Sequence, residues 1–288
     1  MPIEFDGLSP YAERPWLKHY PPQASPNLEY PHIPVTRLLE KAAREFPKQT
    51  ATVFLGAKLT YMELVIEVDR FARVLAGLGV EKGSKVALML PNCPQAVIAY
   101  YAALRLGAVV VETNPLYVER ELEFQLTDSG AHTLVILDLL YPRAEAVRSR
   151  TGLKNIIVTG LQEYMGFPLS MLFPLKLRWE KKNVKVNCGG GVYFFKDLMK
   201  NPPDSFPRTE VKASDLALLQ YTGGTTGLAK GAMLTHRNLV ANVYQIMEWM
   251  LDARPGKEKM LCVLPFFHVY GMTVAMNLAV ALGAELII

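Results

Sequence analysis

A cluster of small, polar and cationic residues between two apolar segments is the part of the sequence best suited to chemistry. The stretch 220–238 reads QYTGGTTGLAKGAMLTHRN. Glycine lets the backbone approach an anion closely, threonine hydroxyls donate hydrogen bonds or ligate a metal ion, and lysine contributes a positive charge. When such a loop joins a strand to a helix, its N–H groups and the helix N-terminus converge on a phosphate. The composition therefore predicts a phosphate-binding loop over 222–230.

Two other glycine-loop patterns fail on the identity or order of their residues. A P-loop NTPase needs Gly before the lysine and Ser or Thr after it, but Ala229 and Gly231 flank Lys230. The glycine-rich stretch GLGVEKG at 77–83 ends a predicted helix, whereas a dinucleotide fingerprint opens one. The remaining alternative for 222–230 is a flexible turn with a solvated lysine. Six glycine, threonine and other small residues inside a strand-forming pattern disfavour that alternative. Ordering them costs conformational entropy, which is unexpected in a loop without a function.

The elements that would position this loop follow from hydrophobic periodicity. Apolar residues on one helical face predict a helix over 35–46, and TATVFLG predicts a strand after it. Thr60 and Glu63 form a capping box that opens the next helix. Further apolar strands (KVALML, AVVVE, TLVIL and NIIVT) alternate with helices near 94–106, 118–128 and 144. This alternation predicts an α/β fold with largely parallel sheets covered by helices on both faces.

Composition divides the chain into four segments. Residues 1–34 hold eight of the twenty prolines, which predicts an extended arm without regular helix. An α/β subdomain is predicted over 35–160, and an irregular apolar and basic insert over 161–212. The alternation resumes in 213–288 with the strand LALLQY, the glycine loop, a helix over 235–250, the strand MLCVLP, a helix over 273–282 and the strand AELII.

The insert has two interpretations that the sequence leaves open. Pro168 and Pro174 are expected to interrupt any helix there. From Lys176 to Lys200 there are seven Lys or Arg residues and two acids, a local charge of 7 − 2 = +5. An irregular surface segment with some buried aromatic residues explains this composition. So does an interfacial membrane contact through 161–200, with apolar residues in the bilayer and lysines at anionic headgroups.

Overall composition narrows the class of protein. The 288 residues are 50% hydrophobic and 20% charged, with a net charge of +4, which indicates a folded chain and does not indicate nucleic acid as a partner. The cysteines, Cys93, Cys188 and Cys262, are too scattered for a disulfide framework or a zinc site. The first residues lack the apolar core of a signal peptide, and no apolar run reaches the length of a membrane span. The expected location is the cytoplasm, with peripheral contact to the cytoplasmic membrane face left open.

The segment YTGGTTGLAKG resembles the phosphate-binding signature of the adenylate-forming superfamily, [YF]-[TS]-S-G-[TS]-T-G-x-P-K-G. It departs from that pattern at Gly223 and Ala229, and both departures are familiar in bacterial long-chain fatty acyl-CoA synthetases. Other segments are similar to the same branch: WLKHYP, GLGVEKGSKVALMLPN, NPLYVERELEFQLTDSGA and LPFFHVYGMT. The resemblance covers almost the whole chain, and the glycine loop is its most specific part.

The resemblance implies a two-step reaction with ATP, Mg²⁺, a fatty acid and coenzyme A. The fatty acid carboxylate attacks the α-phosphate of ATP to give acyl-adenylate and pyrophosphate, and the thiol of coenzyme A then displaces AMP. The implied phosphate-binding residues are Thr222, Gly223, Gly224, Thr225, Thr226, Gly227 and Lys230. Thr225 would also ligate magnesium, and Lys230 would place charge on the leaving group.

The resemblance also implies a role for the segment LPFFHVYGMT. His268 would orient the carboxylate as the second catalytic residue, with Phe267, Tyr270 and Gly271 lining the acyl pocket. From the residues alone, a histidine in this position is more often a packed core side chain than a functional one. His236 has no implied catalytic role, because Thr235 before it is a good helix N-cap.

Later motifs of the resembled family are not found in these 288 residues. Missing are a Y-G-x-T-E segment, a T-G-D carboxylate and the adenylation lysine of a small C-terminal domain. The expectation is that the chain corresponds to the N-terminal half of such an enzyme and has little activity alone. Two alternatives remain open, an aryl-CoA ligase and a non-catalytic module that binds lipid or a partner. A homodimer is also left open.

Overall fold

The computed structural model describes residues 14–205, 209–223 and 229–288. Its strands, in chain order, are β1 (Thr50–Phe54), β2 (Ala57–Thr60), β3 (Lys85–Met89), β4 (Val109–Glu112), β5 (Thr133–Leu137), β6 (Asn155–Thr159), β7 (Val192–Phe194), β8 (Leu216–Thr222), β9 (Lys230–Thr235), β10 (Lys259–Leu261) and β11 (Glu285–Ile287). Its α-helices are α1 (Thr36–Glu45), α2 (Tyr61–Gly77), α3 (Pro94–Arg105), α4 (Glu119–Ser129), α5 (Tyr141–Arg148), α6 (Leu169–Trp179), α7 (Phe195–Lys200), α8 (His236–Trp249) and α9 (Leu278–Leu282).

These strands form two sheets. The larger has the order β7-β6-β5-β3-β4-β8-β9 and is parallel except for β9, which runs antiparallel to β8. The smaller has the order β10-β11-β1-β2, in which only the β1–β2 pair is antiparallel. Strands from 35–160 and from 213–288 pair with each other in both sheets, β4 with β8 and β1 with β11.

Two apolar clusters lie on opposite faces of the larger sheet. On one face, Val86 and Val110 pack with α2, α3 and residues of the smaller sheet. On the other face, Ala87 and Val111 pack with α4 and α5. Adjacent strand residues alternate between faces, so these strands are apolar throughout. The prediction of an α/β fold with largely parallel sheets and helices on both faces is confirmed.

Local signals for the helix starts are also confirmed. The Thr60 hydroxyl accepts a hydrogen bond from the Glu63 N–H at 3.2 Å, and the Glu63 carboxylate accepts one from the Thr60 N–H at 2.7 Å. Thr235 caps α8 in the same way, with its hydroxyl 3.2 Å from the Asn238 nitrogen. These pairs satisfy backbone groups that a helix start would otherwise leave without a partner.

Local structure departs from the predictions at three places. Strand β9 lies between the glycine loop and α8 and was not predicted, whereas the helix expected over 235–250 is confirmed by α8. The insert contains α6, with Pro174 inside it; a proline removes one helical hydrogen bond but leaves the others available. The helix expected at 273 begins earlier, with π-helical turns over Gly271–Asn277.

The arm has a short 3₁₀ helix at Pro15–His19, where proline stands at the first position and needs no N–H partner. None of the helices in the described ranges is long and apolar enough to cross a membrane.

Candidate active site

Three chain segments leave the larger sheet at the same edge, and the one after β8 carries predicted site residues. Glu112 and Thr222 end the parallel strands β4 and β8, and Asn92 follows the end of β3. Ligands of open α/β sheets bind beyond the carboxyl ends of the strands. This edge is therefore where the site is expected.

The predicted phosphate-binding loop connects the two strands of a hairpin. Thr222 and Lys230 are directly paired across β8 and β9, and both side chains are exposed. A Cβ atom built on Gly223 would have no heavy atom of the described residues within 4 Å. The structure thus brings Thr222, Gly223 and Lys230 together at the mouth of the hairpin. The other predicted loop residues, Gly224, Thr225, Thr226 and Gly227, lie outside the described residues.

The hairpin is fixed to the helix layer by Tyr221. Its hydroxyl donates a hydrogen bond to the Asp128 carboxylate in α4 at 2.5 Å. Burial, and then the hydrogen bond to this carboxylate, raise the pKa of the Tyr221 phenol. On the next strand, a Cβ on Gly231 would lie 3.0 Å from the Tyr221 ring, so a glycine there lets the ring lie against β9. The Tyr221 side chain therefore contacts both α4 and β9 at the base of the loop.

Asn92 fixes the segment that carries the predicted acyl-pocket residues. Its amide oxygen accepts a hydrogen bond from the Phe266 N–H at 2.8 Å. Its amide nitrogen donates to the carbonyl oxygens of Cys262 and Leu264 at 2.8 and 2.9 Å. One side chain therefore satisfies three backbone groups in a segment without regular structure.

Gln220 joins this segment to the hairpin. Gln220 lies in β8, two residues before the strand ends at Thr222, and its amide nitrogen donates a hydrogen bond to the Phe267 carbonyl at 3.1 Å. The Gln220 side chain is buried, and its amide oxygen has no hydrogen-bond partner among the described residues. The bond joins the strand that precedes the glycine loop to the residue next to His268.

The four predicted pocket residues differ in their surroundings. His268 is exposed and lies against Phe267, with ring centroids 4.5 Å apart, so it is not a packed core side chain. Tyr270 is 62% exposed. Gly271 is buried, and a Cβ there would lie 2.2 Å from the Pro265 carbonyl oxygen. Only glycine lets the π-helical segment begin this close to Pro265, and π-helical turns are frequent at functional sites.

Glu112 is a buried acid at the same edge that sequence reasoning missed. Its Cα pairs with those of Leu88 on β3 and Gln220 on β8. Burial raises the pKa of its carboxyl to about 8. No hydrogen bond or ion pair joins that carboxyl to another residue in the part of the chain that the structure describes. A glutamate that ends the apolar strand AVVVE was the available sequence signal.

Gln220 and Asn92 also lie at this edge, were not predicted as site residues, and had similar sequence signals. Gln220 is the one amide in the apolar strand LALLQY, and Asn92 follows the proline that stops KVALML. Both are polar residues at strand ends, where the chain turns toward a ligand.

Among the described residues, neither a group of metal ligands nor the cavity lined by the insert lies at this edge. In the described ranges, no three His, Cys, Asp or Glu side chains group as a metal site, and the predicted ligand Thr225 lies outside those ranges. A cavity of about 450 Å³ lies instead under the insert, lined in part by Glu67, Arg70 and Tyr164. Its described lining includes none of the predicted site residues.

Comparison with protein families gives one match that covers most of the chain. A family model described as AMP-binding enzyme matches residues 39–288. A long-chain-fatty-acid–CoA ligase of Bacillus subtilis is 40% identical over 280 residues, covering 96% of this chain and 50% of the relative. That of Salmonella typhimurium is 36% identical over 274 residues, covering 94% of this chain and 49% of the relative. The chain spans about half the length of these curated relatives.

Solved structures agree in fold. A long-chain-fatty-acid–CoA ligase from Archaeoglobus fulgidus has a TM-score of 0.72 at 28% identity, covering 92% of this chain and 48% of that one. An anthranilate CoA ligase in complex with anthranoyl-AMP has a TM-score of 0.74 at 20% identity, covering 91% of this chain and 45% of that one. The second likeness extends to the fold alone.

Proposed function

Because this chain belongs to the family of AMP-binding enzymes, we propose that it takes part in the ATP-dependent activation of a long-chain fatty acid. It would supply the phosphate-binding loop and part of the acyl pocket. The observation that carries the proposal is the Gln220 bond, which joins the base of the hairpin to the segment of His268. Activation requires ATP and a carboxylic acid to lie side by side, and this bond joins the two elements assigned to them.

Each group would act through position and charge. ATP enters as its magnesium salt, and the fatty acid carboxylate attacks the α-phosphorus while the bond to pyrophosphate breaks. Lys230 and the backbone around Gly223 would stabilise the negative charge of the pyrophosphate. His268 would orient the attacking carboxylate, and Phe267, Tyr270 and Gly271 would contact the start of the acyl chain. The thiol of coenzyme A then attacks the acyl carbonyl, and AMP leaves.

Magnesium is supplied with the nucleotide in this proposal. The described residues offer no acidic ligand set for it, and Thr225 remains the proposed protein ligand. We assign no separate step to the ion.

Location is the second part of the proposal. We propose a cytoplasmic protein with a peripheral membrane contact through 161–200. The support is the basic charge of that segment and its exposed apolar side chains, including Phe167 and Trp179.

Protection of the loop by nucleotide tests the ligase proposal on the 288-residue chain itself. Mg-ATP is expected to slow proteolytic cleavage in 222–230, and Lys230→Gln to weaken that protection about tenfold, because a charge-assisted contact to phosphate is lost. Lys58→Gln, an exposed lysine on β2, is the matched control. Identical digestion with and without Mg-ATP, or equal effects of the two variants, would contradict the assignment of the loop.

Substrate class is tested with unreactive acyl-adenylate analogues. A palmitoyl sulfamoyl-adenosine is expected to raise the melting temperature more than its benzoyl counterpart, whereas the reverse order would indicate an aryl-CoA ligase. Formation of acyl-CoA from palmitate, ATP and coenzyme A is measured in parallel. Little turnover is expected from the isolated chain, and robust turnover would refute that expectation.

A further inference from the structure

Helix α6 exposes an apolar face that the rest of the described chain does not cover. None of its eleven residues is buried. Met171, Leu175 and Trp179 recur every four residues and are 65%, 61% and 86% exposed. Leu172, 52% exposed, widens this row on the same side. These four side chains are called the outer face of α6.

The opposite side of α6 is attached to the protein. Phe173 and Leu177 are half-buried, and Phe173 packs against the main apolar cluster. Just before the helix, the Gly166 N–H donates to the Leu55 carbonyl at 3.1 Å in the β1–β2 turn. A Cβ on Gly166 would lie 2.6 Å from the Gly56 carbonyl carbon, so the helix start lies directly on that turn. The outer face is therefore held pointing away from the body of the protein.

Cations border the outer face on both sides. At 3.6 residues per turn, Lys176 and Arg178 lie about 80° to either side of its centre. Lys181, Lys182 and Lys185 follow the helix, and Glu180 is paired with Lys182 at 2.9 Å. Over 167–185 there are five cations and one anion, a net charge of 5 − 1 = +4.

We propose that the outer face of α6 docks on a bilayer that contains anionic phospholipid, with the helix lying in the plane of the interface. An eleven-residue helix is about 16 Å long, too short to span a bilayer. Apolar side chains would enter the acyl boundary, Trp179 would lie at headgroup depth, and the flanking cations would extend to the phosphates. A second copy of the chain fits this face poorly, because a symmetric pairing would bring the same cations together. The proposal rests on the peripheral membrane contact proposed above and specifies its surface and lipid class.

Vesicle binding of the full 288-residue chain tests the proposal. Flotation is compared for phosphatidylcholine vesicles and for vesicles that also contain phosphatidylglycerol. Leu175→Glu is expected to reduce binding to the anionic vesicles at least tenfold, because it places a charge within the apolar row. Leu251→Glu, at an exposed leucine after α8, is the matched control and is expected to bind like wild type. The double variant Lys181→Gln/Lys182→Gln is expected to lose about fivefold per lysine.

Three results would overturn the proposal, and they are distinguishable. Absence of wild-type binding to either vesicle would remove the membrane contact itself, while ATP protection of the loop would still test the ligase proposal. Binding that is unaffected by Leu175→Glu would place the contact elsewhere. A concentration-dependent dimer that Leu175→Glu dissociates, without vesicle binding, would assign the face to a second copy. Far-ultraviolet circular dichroism of each variant checks that it is folded.

Discussion

Replacing Glu112 with glutamine is expected to stabilise the protein at neutral pH. The Glu112 carboxyl is buried beside Gln220, and no described cation or hydrogen-bond donor compensates its charge. In the unfolded chain a glutamate has its ordinary pKa of 4.5, whereas burial raises the value in the folded chain to about 8. Between these values the folded state must bind a proton that the unfolded state releases. The contribution of this carboxyl to stability is therefore full below pH 4.5 and is lost as the pH rises toward 8.

The magnitude follows from the two pKa values. Each pH unit between them costs about 1.4 kcal/mol, and pH 7 lies 2.5 units above 4.5, so the buried acid costs about 3 kcal/mol at pH 7. Glutamine has nearly the same shape and cannot ionise. Glu112→Gln should match wild type below pH 4.5 and exceed its free energy of unfolding by about 3 kcal/mol at pH 7.

Urea denaturation followed by circular dichroism at several pH values measures this difference. Glu285→Gln is the matched control: Glu285 is buried to the same extent, but its carboxylate lies 3.3 Å from the Lys259 ammonium nitrogen. That variant loses an ion pair and is not expected to gain stability. Parallel pH curves for wild type and Glu112→Gln would refute the reasoning, because they would show that the carboxyl has a compensating partner.

Three further predictions concern the supports of the candidate site. Acidification from pH 6.5 to about 4 should lower the free energy of unfolding by about 3 kcal/mol through His236. Burial lowers the pKa of this imidazole to about 4, so the unfolded chain binds the proton at a higher pH than the folded chain does. Urea unfolding of wild type and of His236→Asn at several pH values measures this loss. Gly271→Ala should lower stability by about 2 kcal/mol or more, measured by urea unfolding, since its Cβ would lie 2.2 Å from the Pro265 carbonyl oxygen. Gln220→Met should leave the Phe267 carbonyl without its donor and cost about 1–2 kcal/mol; hydrogen exchange of the 266–272 amides should become faster.

Each of these predictions has a contradicting outcome. An unchanged acid dependence in His236→Asn would remove the role of that imidazole, and His19→Asn, at an exposed position, shows what an unrelated histidine contributes. Full stability of Gly271→Ala would mean that the helix start can move away from Pro265. Unchanged exchange in Gln220→Met would mean that other contacts hold the segment.

Much of the fold could be predicted because its signals are local or periodic. The strands of the larger sheet are buried on both faces and so read as continuous apolar runs. The capping boxes at Thr60 and Thr235 depend only on residues three positions apart. Strand β9 was missed because it is an edge strand with a partly exposed pattern, and among the described strands it pairs with β8 alone. Helix α6 was missed because proline usually interrupts a helix, whereas Pro174 lies within this one.

The candidate site was less accessible to sequence reasoning. Glycine, threonine and lysine in one loop indicate phosphate by their chemistry, wherever the loop lies. The contacts of Asn92 and Gln220 join residues that are 170 and 47 positions apart, and no local pattern encodes such pairs. The burial of Glu112 likewise depends on two neighbouring strands, one of them more than a hundred residues away along the chain.

The position of β11 has a consequence for the order of folding. It lies between β1 and β10 in the smaller sheet, so residues 285–287 complete a sheet that begins at residue 50. During synthesis, β1 and β2 leave the ribosome more than two hundred residues before β11, and until then the outer edge of β1 has no partner strand. Contacts of such long range form slowly, and an unpaired strand edge associates with other chains. The smaller sheet should therefore be the last part of this fold to form and the most exposed to aggregation until it does.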